Sequence, residues 1–341
     1  MRKLLNTLYV TTPKSYLWKD GLAIVVSVEQ QERLRLPVHN LNGIVCFGQV
    51  SCSPALMRFC AENEILISFL DRNGQFQARV EGPVSGNVLL RRAQYRTADD
   101  PGKAAAVTVM LLAGKVANER AVLRRHCREH PEAAPVLEPA IARQGELLEQ
   151  VCQTGQVDVL RGLEGKAADV YFSVFNTLRL NPDPAFEFAG RSRRPPLDRI
   201  NAMLSFAYTL LLHEVVGAME SVGLDPAAGF LHCDRPGRPS LALDMMEEFR
   251  SWVGDRFVLS LLNNRRIGAG DFTVAANGAV LLTDDGRKTF LGGWQQRKQE
   301  VIEHPFAGEK MPLGLLFFVQ ARILAKYLRG EIDCYVPFVR K

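Results

Sequence analysis

Four side chains in the second half of the sequence have the types and spacing to act on a phosphodiester. They are Glu164 in L-R-G-L-E-G-K-A-A, His232 in G-F-L-H-C-D, and Asp244 and Glu247 in L-A-L-D-M-M-E-E-F-R. Two or three carboxylates with one imidazole suit a Mg²⁺ or Mn²⁺ ion that keeps open positions for water and phosphate. Hard oxygen donors with a single nitrogen favour these ions over zinc, and the imidazole tilts the choice toward Mn²⁺. Cys233 follows His232, but no second thiol stands at zinc-ligand spacing.

Helical geometry places some of these groups. Advancing about 100° per residue from Leu160 gathers Leu163, Ala167, Val170, Tyr171, Val174, Phe175 and Leu178 in one arc, and Glu164 falls inside it at about 40°. A carboxylate facing an interior needs a partner or it neutralises. That partner is either a metal ion or an arginine. Gly162 and Gly165 flank Glu164 and would let a backbone or a ligand come close. Asp244 and Glu247 are three apart and share a helix face, continued by Glu248, Ser251 and Asp255. That face is either a solvated acidic stripe or one wall of a site. His232 ends the apolar run Ala228–His232, where an imidazole serves equally as a hydrogen-bonded core group or as a ligand turned back over the acidic helix.

A polyanionic substrate also needs positive charge. Arg191, Arg193 and Arg194 precede Pro195-Pro196, Arg265 and Arg266 form a second pair, and Arg91, Arg92 and Arg96 a third group. Arginine forks and helix N-termini both accept phosphates. Asn201, Ser205 and Tyr208 line one face of the following helix, able to touch DNA phosphates or to join neighbouring helices. The candidate DNA contacts are therefore Arg191, Arg193, Arg194, Asn201 and Ser205.

The elements that must position these groups divide the chain in two. Strand signals dominate the first part: 22–28 after the Asp20-Gly21 turn, 34–38, 43–47, 65–70, and 76–80 after the turn at Asp71-Arg-Asn-Gly74. Ser53-Pro54 reads as an N-cap with proline at the first helical position of a helix running to about Asn63. From about residue 90 the period is helical, with helices expected over 107–125, 132–153, 158–180, 197–217, 240–263 and 311–329, and a hairpin at 271–290. The expected fold is α+β: a small β-rich domain over 1–85 and a larger, mostly helical domain over 86–341, with the boundary in the Gly/Pro/Ser stretch from Glu81 to Asn87.

Composition bounds the setting. The chain has 341 residues, 47% hydrophobic content and a formal charge of +5, enough apolar material for two cores and a balance compatible with nucleic acid. Its seven cysteines include no C-x-x-C pair and are odd in number, which argues against a disulfide framework and for a reducing, cytoplasmic setting. The N-terminus lacks the apolar run of a secretion signal, and the apolar stretch 313–319 is too short to span a membrane, so no membrane partner is expected.

The ordered set of motifs resembles the integrase of CRISPR adaptation, the CRISPR-associated protein one family. The matching pieces are L-R-G-L-E-G-K-A-A at 160–168, R-S-R-R-P-P-L-D-R-I-N-A-M-L-S-F-A-Y at 191–208, G-L-D-P-A-A-G-F-L-H at 223–232, L-A-L-D-M-M-E-E-F-R at 241–250 and Q-A-R-I-L-A-K-Y-L-R-G at 320–330, with W-K-D-G-L-A-I at 18–24. The resemblance implies a β-rich domain that dimerises and a helical domain holding Glu164, His232 and Glu247 as metal ligands, with Asp244 beside them as a ligand or an orienting group. Many members carry Asp where Glu247 stands, one methylene shorter. It further implies a divalent-metal-dependent DNA endonuclease and integrase that inserts short foreign segments into a CRISPR repeat array. Its expected partners are DNA (prespacer ends and the repeat array), a second copy of the chain, and the small CRISPR-associated protein two. The closing M-P-L-G-L-L-F-F-V-Q-A-R looks most like the type I-C variant. Two other functions fit the residues: a non-catalytic DNA-binding scaffold, and a general repair nuclease for branched DNA.

Overall fold

A computed structural model describes residues 6–63, 65–71, 76–80 and 88–340. The fold is α+β, with the larger sheets in the N-terminal part and helices dominating the remainder. The N-terminal strands are β1 (Asn6–Val10), β2 (Ser15–Asp20), β3 (Ala23–Val28), β4 (Gln31–Pro37), β5 (Leu41–Phe47), β6 (Val50–Cys52), β7 (Leu66–Leu70) and β8 (Phe76–Val80). They form two four-stranded sheets, ordered β1-β5-β7-β8 and β4-β3-β2-β6. In the first, β1, β5 and β7 run parallel and β8 antiparallel; in the second, β6 runs parallel to β2.

Between them lies a core of Leu17, Ile24, Ile44 and Ile67, joined by Leu56 and Cys60 of α1 (Pro54–Glu62). Gly21 takes φ +58° in the two-residue β2–β3 turn, the left-handed region that Asp-Gly turns require. Ser53 caps α1 by accepting from the Leu56 amide at 3.2 Å. β1, β2 and β6 lie outside the expected strands. The turn after Asp71 and the boundary stretch 81–87 lie outside the described residues.

The helical part opens with α2 (Val88–Asp99) and α3 (Pro101–Glu129), α3 being about 43 Å long at about 1.5 Å per residue. α3 starts at Pro101 because Asp100 accepts from the amides of Gly102 and Lys103. Then follow α4 (Ala134–Gln153), α5 (Val157–Ser173), α6 (Arg199–Val222) and α7 (Ser240–Phe249). The expected single helix 240–263 is broken: after α7 the chain makes one wider π-helical turn, Arg250–Asp255, before α8 (Arg256–Asn263). α3 packs on α4, α5 and α7, and α6 on α7 and on α10 (Leu316–Leu328). α6 is long and apolar enough to cross a membrane by length and composition alone; here it is a core helix, with Met203, Ala207, Leu211 and Val215 fully buried. The sheets and helices share one core, since Val45, Phe47 and Leu70 belong to the same buried cluster as the helix side chains.

The hairpin expected at 271–290 is only half present. Strands β9 (Phe272–Val274) and β10 (Val280–Leu282) pair, but the chain then forms α9 (Asp284–Gln299), capped by Thr283, and a second small hairpin of β11 (Val301–Glu303) and β12 (Lys310–Pro312). Gly286, Gly292 and Gly293 and many polar residues hide α9 in the sequence. Two of these glycines, Gly286 and Gly293, are there for packing. A Cβ on Gly286 would lie 2.6 Å from the Asp271 carbonyl oxygen, and one on Gly293 3.1 Å from Leu261. Gly292 faces open space.

Opposite effects are therefore expected at two glycines of one helix. Gly292→Ala should stabilise by about 0.5–1 kcal/mol through helix propensity, and Gly286→Ala should destabilise by about 1–3 kcal/mol through overpacking. Paired thermal melts of the two variants read the signs directly, and two shifts of the same sign would contradict this account of α9.

Candidate active site

The site forms where α3, α5 and α7 meet. Glu164 on α5 lies at the edge of the buried arc, its side chain 28% exposed. Gly162 and Gly165 admit no close backbone, contrary to one expectation; a Cβ at either would meet nothing within 4 Å, so the flank of Glu164 is open. Glu247 on α7 is buried. Between the two carboxylates stands a group the sequence reading did not select, Lys115 of α3. Its ammonium donates to Glu164 Oε1 and lies 2.9 Å from Glu247 Oε2, with only 4% of the side chain exposed. Arg250, on the π turn, brings Nε within 3.0 Å of Glu247 Oε1. Lys115 is thus the cation facing the buried Oε2 of Glu247, and Arg250 the one facing Oε1. Burial pushes the Glu247 carboxyl up, but Arg250 and Lys115 together outweigh it and hold the group down at about 2. Glu247 is thus ionised, as a metal ligand must be.

Asp244 has a different task from Glu247. It is fully buried, and both its oxygens are occupied by N–H donors. Oδ2 accepts from the amides of Phe230 (2.6 Å) and Leu231 (2.9 Å); Oδ1 accepts from the amide of His232 (2.9 Å) and from its ring Nδ1 (2.6 Å). With its oxygens so engaged, Asp244 orients His232 and does not reach a metal. A carboxylate can only accept, so Nδ1 carries a proton and Nε2 is the ring nitrogen turned away from Asp244. Carboxylate–imidazole pairing of this kind fixes the ring of a metal-binding histidine. Gly229 permits the arrangement, because a Cβ there would sit 2.8 Å from Asp244 Oδ2 and 2.9 Å from the Ser240 backbone.

The rest of the α7 acidic face is not solvated; its acids diverge inside the protein. Glu248 accepts from the Tyr335 hydroxyl (2.6 Å) and the Phe338 amide (2.7 Å), pinning the C-terminal segment to the core. Asp255 accepts from the Tyr208 hydroxyl at 2.6 Å, and the Tyr208 ring lies under the guanidinium groups of Arg250 (4.7 Å) and Arg191 (5.4 Å). Glu119, one helical turn after Lys115 on α3, is another buried acid the sequence reading missed, and Gln144 donates to it at 3.1 Å. Burial lifts the Glu119 carboxyl to about 8; Lys115 opposes this, and Glu247, Asp255 and Glu164 add to it. Lys115 and Glu119 were findable: they recur at helical spacing with the apolar Leu111, Leu112 and Val116, on the face α3 buries.

One expectation about DNA contacts needs correction. Asn201 is fully buried and saturated: its oxygen accepts from Arg191 Nη1 (2.6 Å) and the Ser192 amide (2.9 Å), and its nitrogen donates to the Gly190 carbonyl (2.7 Å) and Asp198 (2.5 Å). Ser205 Oγ accepts from Arg191 Nη2 at 3.3 Å. Asn201 has no surface to offer DNA; with Ser205 and Arg191 it braces the 190–198 loop onto α6. Arg193 and Arg194 remain exposed on that loop.

As folded, this is a cation site with an ammonium in it. Among the described residues, no three His, Cys, Asp or Glu side chains are drawn close enough to hold a metal ion as they stand. The donor chemistry nevertheless fits a divalent ion. Glu164 and Glu247 converge on one positive charge, Glu247 is buried, and His232, with Nδ1 on Asp244, is near enough to act electrostatically on Glu247. Glu164, Glu247 and His232 would hold the ion once Lys115 withdraws.

Comparison with known proteins gives this arrangement its family. Residues 8–296 match the family described as CRISPR associated protein Cas1. The chain belongs to the Cas1 family. It is 54% identical to a CRISPR-associated endonuclease Cas1 of Chlorobaculum tepidum, over 99% of both chains, and 52% identical to one of Rhodospirillum rubrum, over 100% of both. In fold, this Cas1-family chain is similar to a casposase bound to an integration product (TM-score 0.85, 23% identity, covering 98% of this chain and 93% of that one). It is also similar to a Cas1 protein from Thermotoga maritima (TM-score 0.82, 24% identity, covering 98% and 100%).

The raised Glu119 carboxyl makes stability depend on pH. Between its ordinary 4.5 and about 8 the folded state binds the proton more tightly than the unfolded chain, so this contribution is full below pH 4.5 and is lost as pH climbs through about 8. The loss is at most about 1.4 kcal/mol per pH unit. Melting temperatures of the parent protein and Glu119→Gln, taken from pH 5 to 8, should converge or cross in favour of the variant as pH rises. Parallel curves would show that Glu119 is ionised in the fold.

Proposed function

We propose that this protein is a divalent-metal-dependent DNA endonuclease and integrase that inserts short foreign DNA segments into a CRISPR repeat array. The observation that carries the reading is the convergence of Glu164 and Glu247, from two helices, on one buried positive charge, with His232 held nearby in its Nδ1–H form. Relatives more than 50% identical over their whole length are named CRISPR-associated endonucleases, and a protein of like fold is described as bound to an integration product. The partners are DNA, a second copy of the chain and the small CRISPR-associated protein two; a complex of Cas6-RT-Cas1 with Cas2 shares the fold. The setting is cytoplasmic, and the closing M-P-L-G-L-L-F-F-V-Q-A-R supports assignment to a type I-C system.

The reaction is attack of a DNA 3′-hydroxyl, or of water, on a phosphodiester. A bound Mg²⁺ or Mn²⁺ supplies polarisation of the phosphoryl oxygen and stabilises charge on the entering or leaving oxygen. The protein does the rest. Glu164, Glu247 and His232 would hold the ion once Lys115 gives way, Asp244 keeps the His232 ring turned with a proton on Nδ1, and Arg250 remains beside Glu247 as its second cation. Arg193 and Arg194, exposed beside the site's α6 wall, meet the phosphate backbone.

Glu164→Ala or His232→Ala should abolish Mn²⁺-dependent cleavage and joining of branched, repeat-bearing DNA while leaving the melting temperature of the metal-free protein within a few degrees of the parent. Full strand transfer by both variants would remove the site. A parent protein that shifts DNA mobility but never breaks or joins it, with or without the small partner, would instead mark a scaffold. Asp244→Asn should weaken Mn²⁺ binding about 10–100-fold, read by titration calorimetry without DNA.

A further inference from the structure

A second concentration of charge lies beyond Arg250 on the same π turn. A cavity of about 440 Å³ is bounded by the C-terminal half of α3, the start of α8, the end of α9 and the last residues of the chain. Its lining includes five arginines, Arg125, Arg128, Arg256, Arg297 and Arg340, against two acids, Glu129 and Glu300. Each acid is already paired, Glu129 with Arg125 (2.8 Å) and Glu300 with Arg297. Arg128, Arg256 and Arg340 form no ion pair with a carboxylate among the described residues, which leaves three positive charges without a counter-charge. Three of the guanidinium groups crowd one ring: Arg297, Arg256 and Arg340 lie 5.1, 5.4 and 5.8 Å from the centre of the Trp252 indole. Burial, with Arg297 and Arg125 adding, lowers Arg256 to about 10.

Like charges collected in a half-buried hollow repel one another and are stabilised by an anion. Guanidinium forks select oxyanions of phosphate geometry. The indole is only 6% exposed and lies beneath the guanidinium groups, so it offers no face for a base to stack on. The recognised group is therefore the phosphate, not the base. α3 ties the cavity to the active site, since Arg125 follows Lys115 by about 15 Å of helix at about 1.5 Å per residue. One DNA strand carries a phosphate about every 3.4 Å of axis, so this distance spans about four phosphates. We infer that the arginine cavity around Trp252 is a sequence-independent phosphate site that holds the DNA backbone a few nucleotides from the reacting phosphodiester. The inference rests on the proposed function for the identity of the polyanion.

The test is DNA affinity of the full-length protein as a function of salt. The parent, Arg256→Gln/Arg340→Gln and Arg128→Gln are titrated into fluorescent branched DNA without metal, between about 50 and about 300 mM salt, where screening of exposed charges changes steeply. The double variant should bind at least about tenfold more weakly at low salt, and the slope of log K against log salt should shrink by about 0.9 for each duplex phosphate the cavity neutralises. Arg128→Gln, on an exposed helix position that cannot disturb the core, should move both quantities the same way by less. It decides the matter if the double variant does not fold. Parent-like affinity and slope in the folded variants would overturn the inference. It would also fall if pyrophosphate raised the parent's melting temperature, the variants lost that rise, and DNA binding stayed unchanged; the cavity would then serve free phosphate anions. Mn²⁺-dependent joining by the parent, run on the same DNA, separates the two levels. Failure there sinks the proposed function, whereas parent-like variants beside an active parent sink only this cavity.

Discussion

The ammonium of Lys115, buried between Glu164 and Glu247, is the contact around which the helical half is arranged. It joins α3, α5 and α7 at one point and neutralises carboxylates that could not otherwise be taken out of water. Removing Lys115 itself would take the shared cation from both carboxylates, a loss that for buried pairs is typically about 3–5 kcal/mol, whereas without Glu164 the ammonium still has Glu247. The same contact bears on the proposed chemistry: the fold gathers two carboxylates around a tethered positive charge, so a metal ion bound there would exchange with an ammonium and not fill an apolar hollow. Arg250 adds a second cation to Glu247, and the two together keep that carboxyl ionised despite its burial.

Division of labour along α7 follows from helical geometry. Asp244 and Glu247 share a face, but Asp244 lies nearer the helix start, where the 229–232 loop passes overhead and offers three amides to its carboxylate. Glu248, rotated by about 100° from Glu247, meets the C-terminal segment and binds the Tyr335 hydroxyl and Phe338 amide. The wider π turn then shifts the phase, so that Asp255 reaches Tyr208 and Trp252 turns toward the arginine cavity. π turns inside α-helices recur at functional sites. Here one turn contributes Arg250 to the active site and Trp252 to the cavity.

Where the sequence was legible, its signals were local. The Asp20-Gly21 turn, the Ser53-Pro54 cap and the apolar arc of α5 rest on interactions within a few residues; the structure places the turn, the cap and the start of α5 where expected, while α5 ends at Ser173, short of the expected 180. α9 was hidden because its glycines read as breaks, whereas Gly286 and Gly293 answer to Asp271, Leu261 and Phe257 on other segments. Asn201 looked like a candidate DNA contact for the same reason: a polar face on a helix does not say whether water, DNA or an arginine of the preceding loop will meet it.

The sequence by itself determined the α+β division, the ordered motifs that place the chain in its family, and the identity of the carboxylates and histidine with chemistry to offer. Spacing along a helix determines which side chains share a face, and covalent order determines which motifs accompany one another. Tertiary structure alone decided that Lys115 stands between Glu164 and Glu247, that Asp244 orients His232 with both oxygens occupied, and that arginines from α3, α8, α9 and the chain's end surround Trp252. These are encounters between residues tens to hundreds of positions apart. Charge pairing and hydrogen-bond saturation depend on distances of a few ångströms, which only the packed chain fixes.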